Sequence, residues 1–442
     1  MTREKMVDAG VLVAELDERG LLSSQWRAAF AAVPRHLFLP GKSWFPGEDD
    51  NLVPIDRDQD VDRWMELAYS DIYIVTQIDD GATVWPQTGR ASSSSSMPSV
   101  MLTMLDALDV GDGMRVLEIG TGTGYNAAIL SQRVGADHVT TVELDPDLAA
   151  TAAVNLRTVG FPATVVCGDG AMGYADGGPY DRLLATCAVI GEVPYRWVEQ
   201  MRPGGLVVAP WGTPDQRNAL MRLRVTDDAT ACGGFVQRVY LSFMPMRAQR
   251  IPYLPDDPDV EPDVITTTTL SPAELRHTAL VFDGSFAIGL RVPKCRTWYE
   301  TDKEHGYWHT IGFDDAESGS CAIVDADPNE PDIMIKQWGP RRLWDEVESA
   351  YRWWVGKGRP SHDRFGITVD PTGQSVWLDD PSQPVLMRTA QHAGSDRPPS
   401  SSDVPDHITY SSGDGRGDAH VVDNWTRRGT AGARERNSRP CT

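Results

Sequence analysis

The stretch Arg115-Val116-Leu117-Glu118-Ile119-Gly120-Thr121-Gly122-Thr123-Gly124-Tyr125 decides the fold. Arg115–Ile119 reads as a buried strand, the glycines as a tight turn, and Ala127-Ala128-Ile129-Leu130 as the helix that follows. Glycine can take positive φ and lets the backbone approach a ligand with no Cβ in the way. The same alternation then repeats. Val139-Thr140-Thr141-Val142 reads as a second strand before an alanine-rich helix over 146–157. Ala163–Cys167 is a third strand, Asp181–Ala185 a fourth, and Leu206–Ala209 a fifth entered through Pro203-Gly204-Gly205. Strands alternating with helices predict a parallel, doubly wound α/β sheet of Rossmann type. Leu220–Val225 and Gln237–Met244 are expected to close it as an antiparallel edge.

Working outward, residues 9–40 show apolar positions at helical spacing, broken at Gly20 and stopped at Pro34. An acidic insert over 46–62 is expected to be mainly loop, and Ile72-Tyr73-Ile74-Val75 to be strand or extended loop. Beyond Pro252 an acidic, proline-bearing segment reads as a linker over 251–264. Residues 265–388 are expected to form a separate α+β accessory domain, with a helix at 341–355 and a hairpin across Pro371-Thr372-Gly373. The last stretch, 389–442, has almost no apolar residues and is expected to be a disordered tail.

Hydrophobic residues make up 41% and charged residues 24%, the balance of a soluble globular chain rather than a membrane protein. The N-terminus has no apolar signal core, so a cytoplasmic location is expected. A net charge of −22 weighs against nucleic acid as substrate. The six cysteines form no CxxC pair and read as ordinary reduced residues. No metal site is expected. His305 and His309 have ligand spacing but no partner cluster, and packing or surface exposure is the simpler reading.

Two acids give the glycine turn its specificity. Glu143 ends the second strand, 23 residues after Gly120, where a carboxylate can accept both ribose hydroxyls. Asp169-Gly170 ends the third strand, where a carboxylate can accept from an adenine amino group. Tyr125 stands where a dinucleotide fingerprint wants its third glycine, and Glu118 suits an amino-acid-bearing cofactor rather than a pyrophosphate. The expected cofactor residues are Glu118, Gly120, Thr121, Gly122, Gly124, Glu143, Leu144, Asp169 and Gly170, gripping an adenosyl group.

Upstream, Ser92–Ser96 with Met97-Pro98-Ser99 has the composition of a flexible linker. Its position argues otherwise, because it precedes the first helix of the sheet and lies beside the strands' carboxyl ends, where such folds bind ligands. At this point the chain resembles the protein L-isoaspartyl O-methyltransferases over about residues 10–245. The resemblance is carried by Leu12–Leu16 with Ala32–Phe38, by Ser94-Ser95-Ser96-Met97-Pro98, and by Val116–Tyr125. Gly168-Asp169-Gly170, Ala175–Asp181, Val193-Pro194 and Leu206–Gly212 continue it in order.

That resemblance implies a class I methyltransferase fold, S-adenosyl-L-methionine as cofactor, a peptide or protein substrate, and Ser96 as the substrate-loop serine. Ser94 and Ser95 are the alternates. Met97, Pro98, Thr186 and Cys187 are expected beside the substrate, with Cys187 as lining rather than a nucleophile. The serines before Ser96, Met97 itself, the 46–62 insert and the C-terminal 200 residues depart from the family pattern on the substrate side. With its added C-terminal domain the chain is more similar to a branch that methylates an aspartate side chain in ribosomally made peptide precursors, the ester going on to aspartimide. That reading is preferred here, with repair of isoaspartate in damaged proteins as the alternative.

Two other classes compete. One is a nucleic-acid or small-molecule methyltransferase, of which a DNA amino-methylating enzyme would place an Asp/Asn-Pro-Pro-aromatic motif where this chain has Ala185-Thr186-Cys187-Ala188-Val189. A non-catalytic peptide-binding protein would not need its glycines, Glu143 and Asp169 intact. Trp338, Trp344, Trp353, Trp354 and Trp377 read first as a small core, and second as anchors for a bound peptide.

Overall fold

In the computed structural model, residues 9–47, 51–214, 217–252, 254, 260–301, 308–325 and 332–385 are described. The expected tail, His305, the side chain of His309 and residues 253 and 255–259 of the linker lie outside these residues.

Apolar strands in pairs dictate the centre. Val116–Ile119 pairs in parallel with Val139–Glu143 on one side and Tyr180–Ala185 on the other, and nearly every residue of all three is buried. Alternation along each strand sends neighbours to opposite faces. Leu117, Leu183 and Val207 join one apolar core, while Val116, Leu184 and Val208 join the other. From edge to edge the strands are Gly373–Leu378, Phe365–Asp370, Ala231–Leu241, Asn218–Val225, Met201–Gly212, Tyr180–Ala185, Val116–Ile119, Val139–Glu143 and Thr164–Cys167. The parallel core and the antiparallel flank agree with the sequence reading. The last expected edge strand starts earlier, at Ala231, because its cross-strand partner Val225 fixes the register there.

The helices begin where side chains can close the free amides. Asp145 accepts from the backbone N–H of Asp147 and Leu148, with Pro146 in the first turn of Pro146–Thr158. Pro98 plays the same opening part for Pro98–Leu108, which packs against Met201–Gly212.

Residues 46–62 are less irregular than expected. Leu52–Asp56 pairs antiparallel with Lys42–Pro46, and these join Ile74–Ile78 and Ala91–Ser95 in a four-stranded sheet. The serine run is therefore largely a strand. Ala91, Ser93 and Ser95 point into the protein, and Ser92, Ser94 and Ser96 turn the other way, half-buried.

The 265–388 region builds its own five-stranded sheet with helices Pro272–Ala279, Phe282–Arg291 and Leu343–Gly356. It is not separate from the first unit. Its hairpin extends the central sheet, with Ala231 opposite Val369 and Gly234 opposite Gly366. Phe286 packs edge-on against Phe235 at 5.1 Å and Trp211 at 5.8 Å, so one core runs through both parts. Trp344 and Trp354 are buried in that core, with Trp353 packed against it under Arg291. Trp338 is buried in a separate small cluster with Cys321 and Ile323, and Trp377 donates to Thr368. Exposed anchors for a peptide they are not. Among the described residues no helix is long and apolar enough to cross a membrane.

Candidate active site

The glycine turn is fixed by its backbone. Gly120 N–H and Thr121 N–H both donate to Val142 O, and Gly120, Gly122 and Gly124 all have positive φ. A Cβ on Gly120 would lie 2.7 Å from Thr186 Oγ1, and one on Gly170 would lie 2.4 Å from Ile119 Cγ2. Of the three glycines that line the site, these are the two with such close approach. Glu143 folds back over the turn, accepting from Gly122 N–H at 2.8 Å and Asp145 N–H at 3.0 Å. Burial raises its pKa despite those bonds. Asp169 is exposed at the end of its strand and caps the next turn through Ala171 N–H. Trp197 holds the neighbouring backbone by donating to Gly170 O at 2.8 Å.

These residues surround one open cavity of roughly 410 Å³. Ser94, Ser96, Gly120, Gly122, Glu143, Leu144, Asp169, Gly170, Thr186 and Cys187, all candidate site residues, line it together. Four other expected residues sit elsewhere. Glu118 is completely buried beneath the turn, accepting from Asn126 Nδ2 and Thr141 Oγ1, and burial pushes its carboxyl up to about 7. Thr121 bonds Thr141 below the turn, and Gly124 faces Ala152 and Leu156 of the next helix. Pro98 opens its helix and lines no part of the cavity. Glu118, Thr121 and Gly124 support the turn from behind, and Thr121 also borders a small adjoining chamber.

Ser95, the second alternate, lines no part of the large cavity and borders only a small adjoining chamber. Its hydroxyl accepts from Arg35 Nε at 3.2 Å. Ser94 and Ser96 border three adjoining spaces: the large cavity, the small chamber of about 30 Å³, and an apolar recess of about 50 Å³. Thr121, Thr123, Tyr125 and Asn126 line the chamber together with the apolar Met101, Met104, Leu184 and Phe243, whereas Tyr73, Met97, Val100, Leu241, Phe243 and Met244 line the recess. The serine strand thus stands where all three meet.

The sequence reading missed the wall opposite the glycines. Met244 to Arg250 crosses the cavity, pinned where Ala188 exchanges backbone bonds with Met244 and Met246. Arg250 makes two hydrogen bonds to Asp80, at 2.6 and 2.9 Å, and Arg247 reaches Asp80 at 3.2 Å and Asp145 at 3.6 Å. Both cations are thereby neutralised, so the cavity keeps Glu143 and Asp169 as acceptors. The loop after the fourth parallel strand is held by two amides. Gln249 bridges Ile190 N–H and Glu192 O, and Gln374 of the C-terminal hairpin bridges Val193 N–H and Gly191 O. No local sequence signal marks these long-range braces. Cys187 carries a free thiol that burial, reinforced by the Glu143 charge, pushes up to about 12. At neutral pH it is no nucleophile.

Comparison with known proteins places this site in a family. The protein-L-isoaspartate(D-aspartate) O-methyltransferase family matches residues 48–249. The protein-L-isoaspartate O-methyltransferase of Cytophaga hutchinsonii is 32% identical, with 51% of this chain aligned to 86% of that protein. That of Hyperthermus butylicus is also 32% identical, over 46% of this chain and 73% of its own. The chain belongs to the protein-L-isoaspartate(D-aspartate) O-methyltransferase family. The Methanosarcina mazei protein of that name is 41% identical, but the match spans only 54% of its length and 30% of this chain. A solved structure titled protein-L-isoaspartate O-methyltransferase aligns with 84% of this chain and all of its own, at 21% identity and a TM-score of 0.49. The family match begins after the N-terminal helices and ends before the C-terminal unit.

The family's enzymes use S-adenosyl-L-methionine, and this chain is a methyltransferase of that class. Its residues fit the group. The cavity is roomy, a side chain at Gly120 or Gly170 would crowd its neighbours, and the buried carboxylate of Glu143 lines the wall.

Proposed function

We propose that this chain methylates a carboxylate of a protein or peptide, with the isoaspartyl carboxylate as the principal acceptor. One observation carries the reading: Ser94 and Ser96 stand between the cavity rimmed by Glu143 and Asp169 and the recess that opens on the other side. In this reading Glu143 holds the ribose, Asp169 the adenine, and the Gly120–Gly122 backbone the amino-acid end of the cofactor. S-adenosyl-L-methionine supplies, when bound, an electrophilic methyl group on a cationic sulfur. The acceptor carboxylate is already ionised at pH 7 and needs no general base. What the chain must do is orient that carboxylate and exclude water around it. Ser96 donates a hydrogen bond to the oxygen that does not attack, leaving the other oxygen free. Ser94, on the same face two residues earlier, is its alternate.

Losing one such bond costs about 1–2 kcal/mol. Ser96→Ala should therefore lower turnover roughly tenfold and keep cofactor affinity within about twofold. Unchanged turnover would move the role to Ser94.

The five-stranded unit beyond residue 249 favours a second reading, in which the substrate is a ribosomal peptide precursor. There the acceptor is an aspartate side chain, and the next backbone nitrogen then displaces methanol to close an aspartimide. Two peptides identical but for Asp or isoaspartate, scored by mass spectrometry, separate these readings. Preferential esterification of isoaspartate supports repair, and preferential esterification of aspartate overturns it.

A further inference from the structure

Arg35 follows Pro34 at the start of the short turn Arg35–Phe38, and none of its surface is exposed. Its Nε donates to Ser95 Oγ at 3.2 Å. Nη1 donates to the carbonyls of Ala68 at 3.3 Å and Ser70 at 3.0 Å. Nη2 donates to the carbonyls of Ile72 at 2.8 Å, Ser95 at 3.2 Å and Ser96 at 3.0 Å. Every one of these acceptors is a neutral oxygen. The guanidinium also lies 5.9 Å from the centre of the Tyr125 ring, which faces the small chamber.

Burying a cation with no carboxylate among its hydrogen-bond acceptors is expensive even with the Asp71 charge nearby, and an apolar side chain of similar size often stabilises a fold as well or better. Burial draws the Arg35 pKa down to about 10, which still leaves it charged at neutral pH. A rigid planar fork offers what no apolar residue can, namely donors at fixed angles to several carbonyls at once. Those carbonyls belong to the segment 68–72 and to the last residues of the serine strand. We infer that Arg35 is a positioning residue, which fixes the backbone of Ser95 and Ser96 so that the Ser96 hydroxyl faces the cofactor cavity. The inference rests on the reading of Ser96 given above.

A double-mutant cycle tests it, because residues acting through one another lose additivity. Arg35→Lys keeps the charge and abolishes the fork. Its turnover on an isoaspartyl peptide should fall about tenfold or more, while cofactor affinity by calorimetry stays within twofold. In a Ser96→Ala background the same change should cost less than twofold. An equal fall in both backgrounds would show that Arg35 serves the fold in general and would overturn the inference. A Ser96→Ala chain as active as the parent would overturn the Ser96 reading itself, and the inference with it. Ser95→Ala, which removes only the bond to Nε, gives the same cycle at smaller amplitude should Arg35→Lys not fold. A two- to fivefold loss that disappears with Ser96→Ala supports the assignment, and a loss that persists refutes it.

Discussion

Gly120→Ala is the substitution whose cost follows most directly from the geometry. Gly120 has φ of +94°, where an L side chain is strained by about 1–3 kcal/mol. Its new Cβ would also meet Thr186 Oγ1 at 2.7 Å. That hydroxyl donates to Gly120 O and Ile119 O, so moving it aside forfeits a bond worth about 0.5–1.5 kcal/mol. The sum is about 1.5–4.5 kcal/mol. If the turn relaxes to relieve this strain, cofactor affinity should fall roughly 10- to 1,600-fold. Calorimetric titration with S-adenosyl-L-methionine measures it. Gly204→Ala is the control, since Gly204 has φ of +80° with nothing within 4 Å of its Cβ, and it lines no part of the cavity. It should reduce stability but not affinity. Undiminished binding by Gly120→Ala, or equal weakening by Gly204→Ala, would refute the reasoning.

Glu118 gives a pH prediction. Its folded pKa of about 7 exceeds the ordinary carboxyl value, so the fold takes up a proton. Its contribution to stability is full below the unfolded pKa and is lost as pH rises towards 7. Glu118→Gln should flatten the decline between about pH 4.5 and 7 by at most a few kcal/mol, and parallel denaturant profiles for parent and variant would contradict this. Deleting residues 255–442 uncovers Trp211 and Phe235, so the shortened chain should aggregate or lose near-UV ellipticity. A soluble fragment that still binds cofactor would disprove the shared core. Cys187→Ser should retain turnover within about threefold because the thiol stays protonated, and abolished turnover would contradict its role as lining.

The central sheet was legible because its strands are continuous apolar runs punctuated by glycine, a signal that survives without knowledge of partners. The places of Glu143 and Asp169 at the strand ends beside the cavity were legible for the same reason, since each follows such a run. Glu118 was misplaced because sequence cannot say which strand residue points under the turn and which points out of it. The serine run defeated composition altogether. Five identical residues show no alternation, yet the strand alternates, with Ser95 inward on Arg35 and Ser96 outward at the cavity. Its pairing with Ile74–Ile78 supplies the periodicity that its residues lack. The hairpin Phe365–Leu378 was seen locally through Pro371-Thr372-Gly373, but its docking on Ala231–Gly234 lies more than a hundred residues away in sequence. The clasp of Arg247 and Arg250 on Asp80 is long-range in the same sense.

The most direct test is to incubate the whole chain with methyl-labelled S-adenosyl-L-methionine and an isoaspartyl peptide, then treat the peptide with mild alkali. The account requires label on the peptide that is released as methanol. A peptide without label, or with label that survives the alkali, would contradict carboxyl methylation by this site.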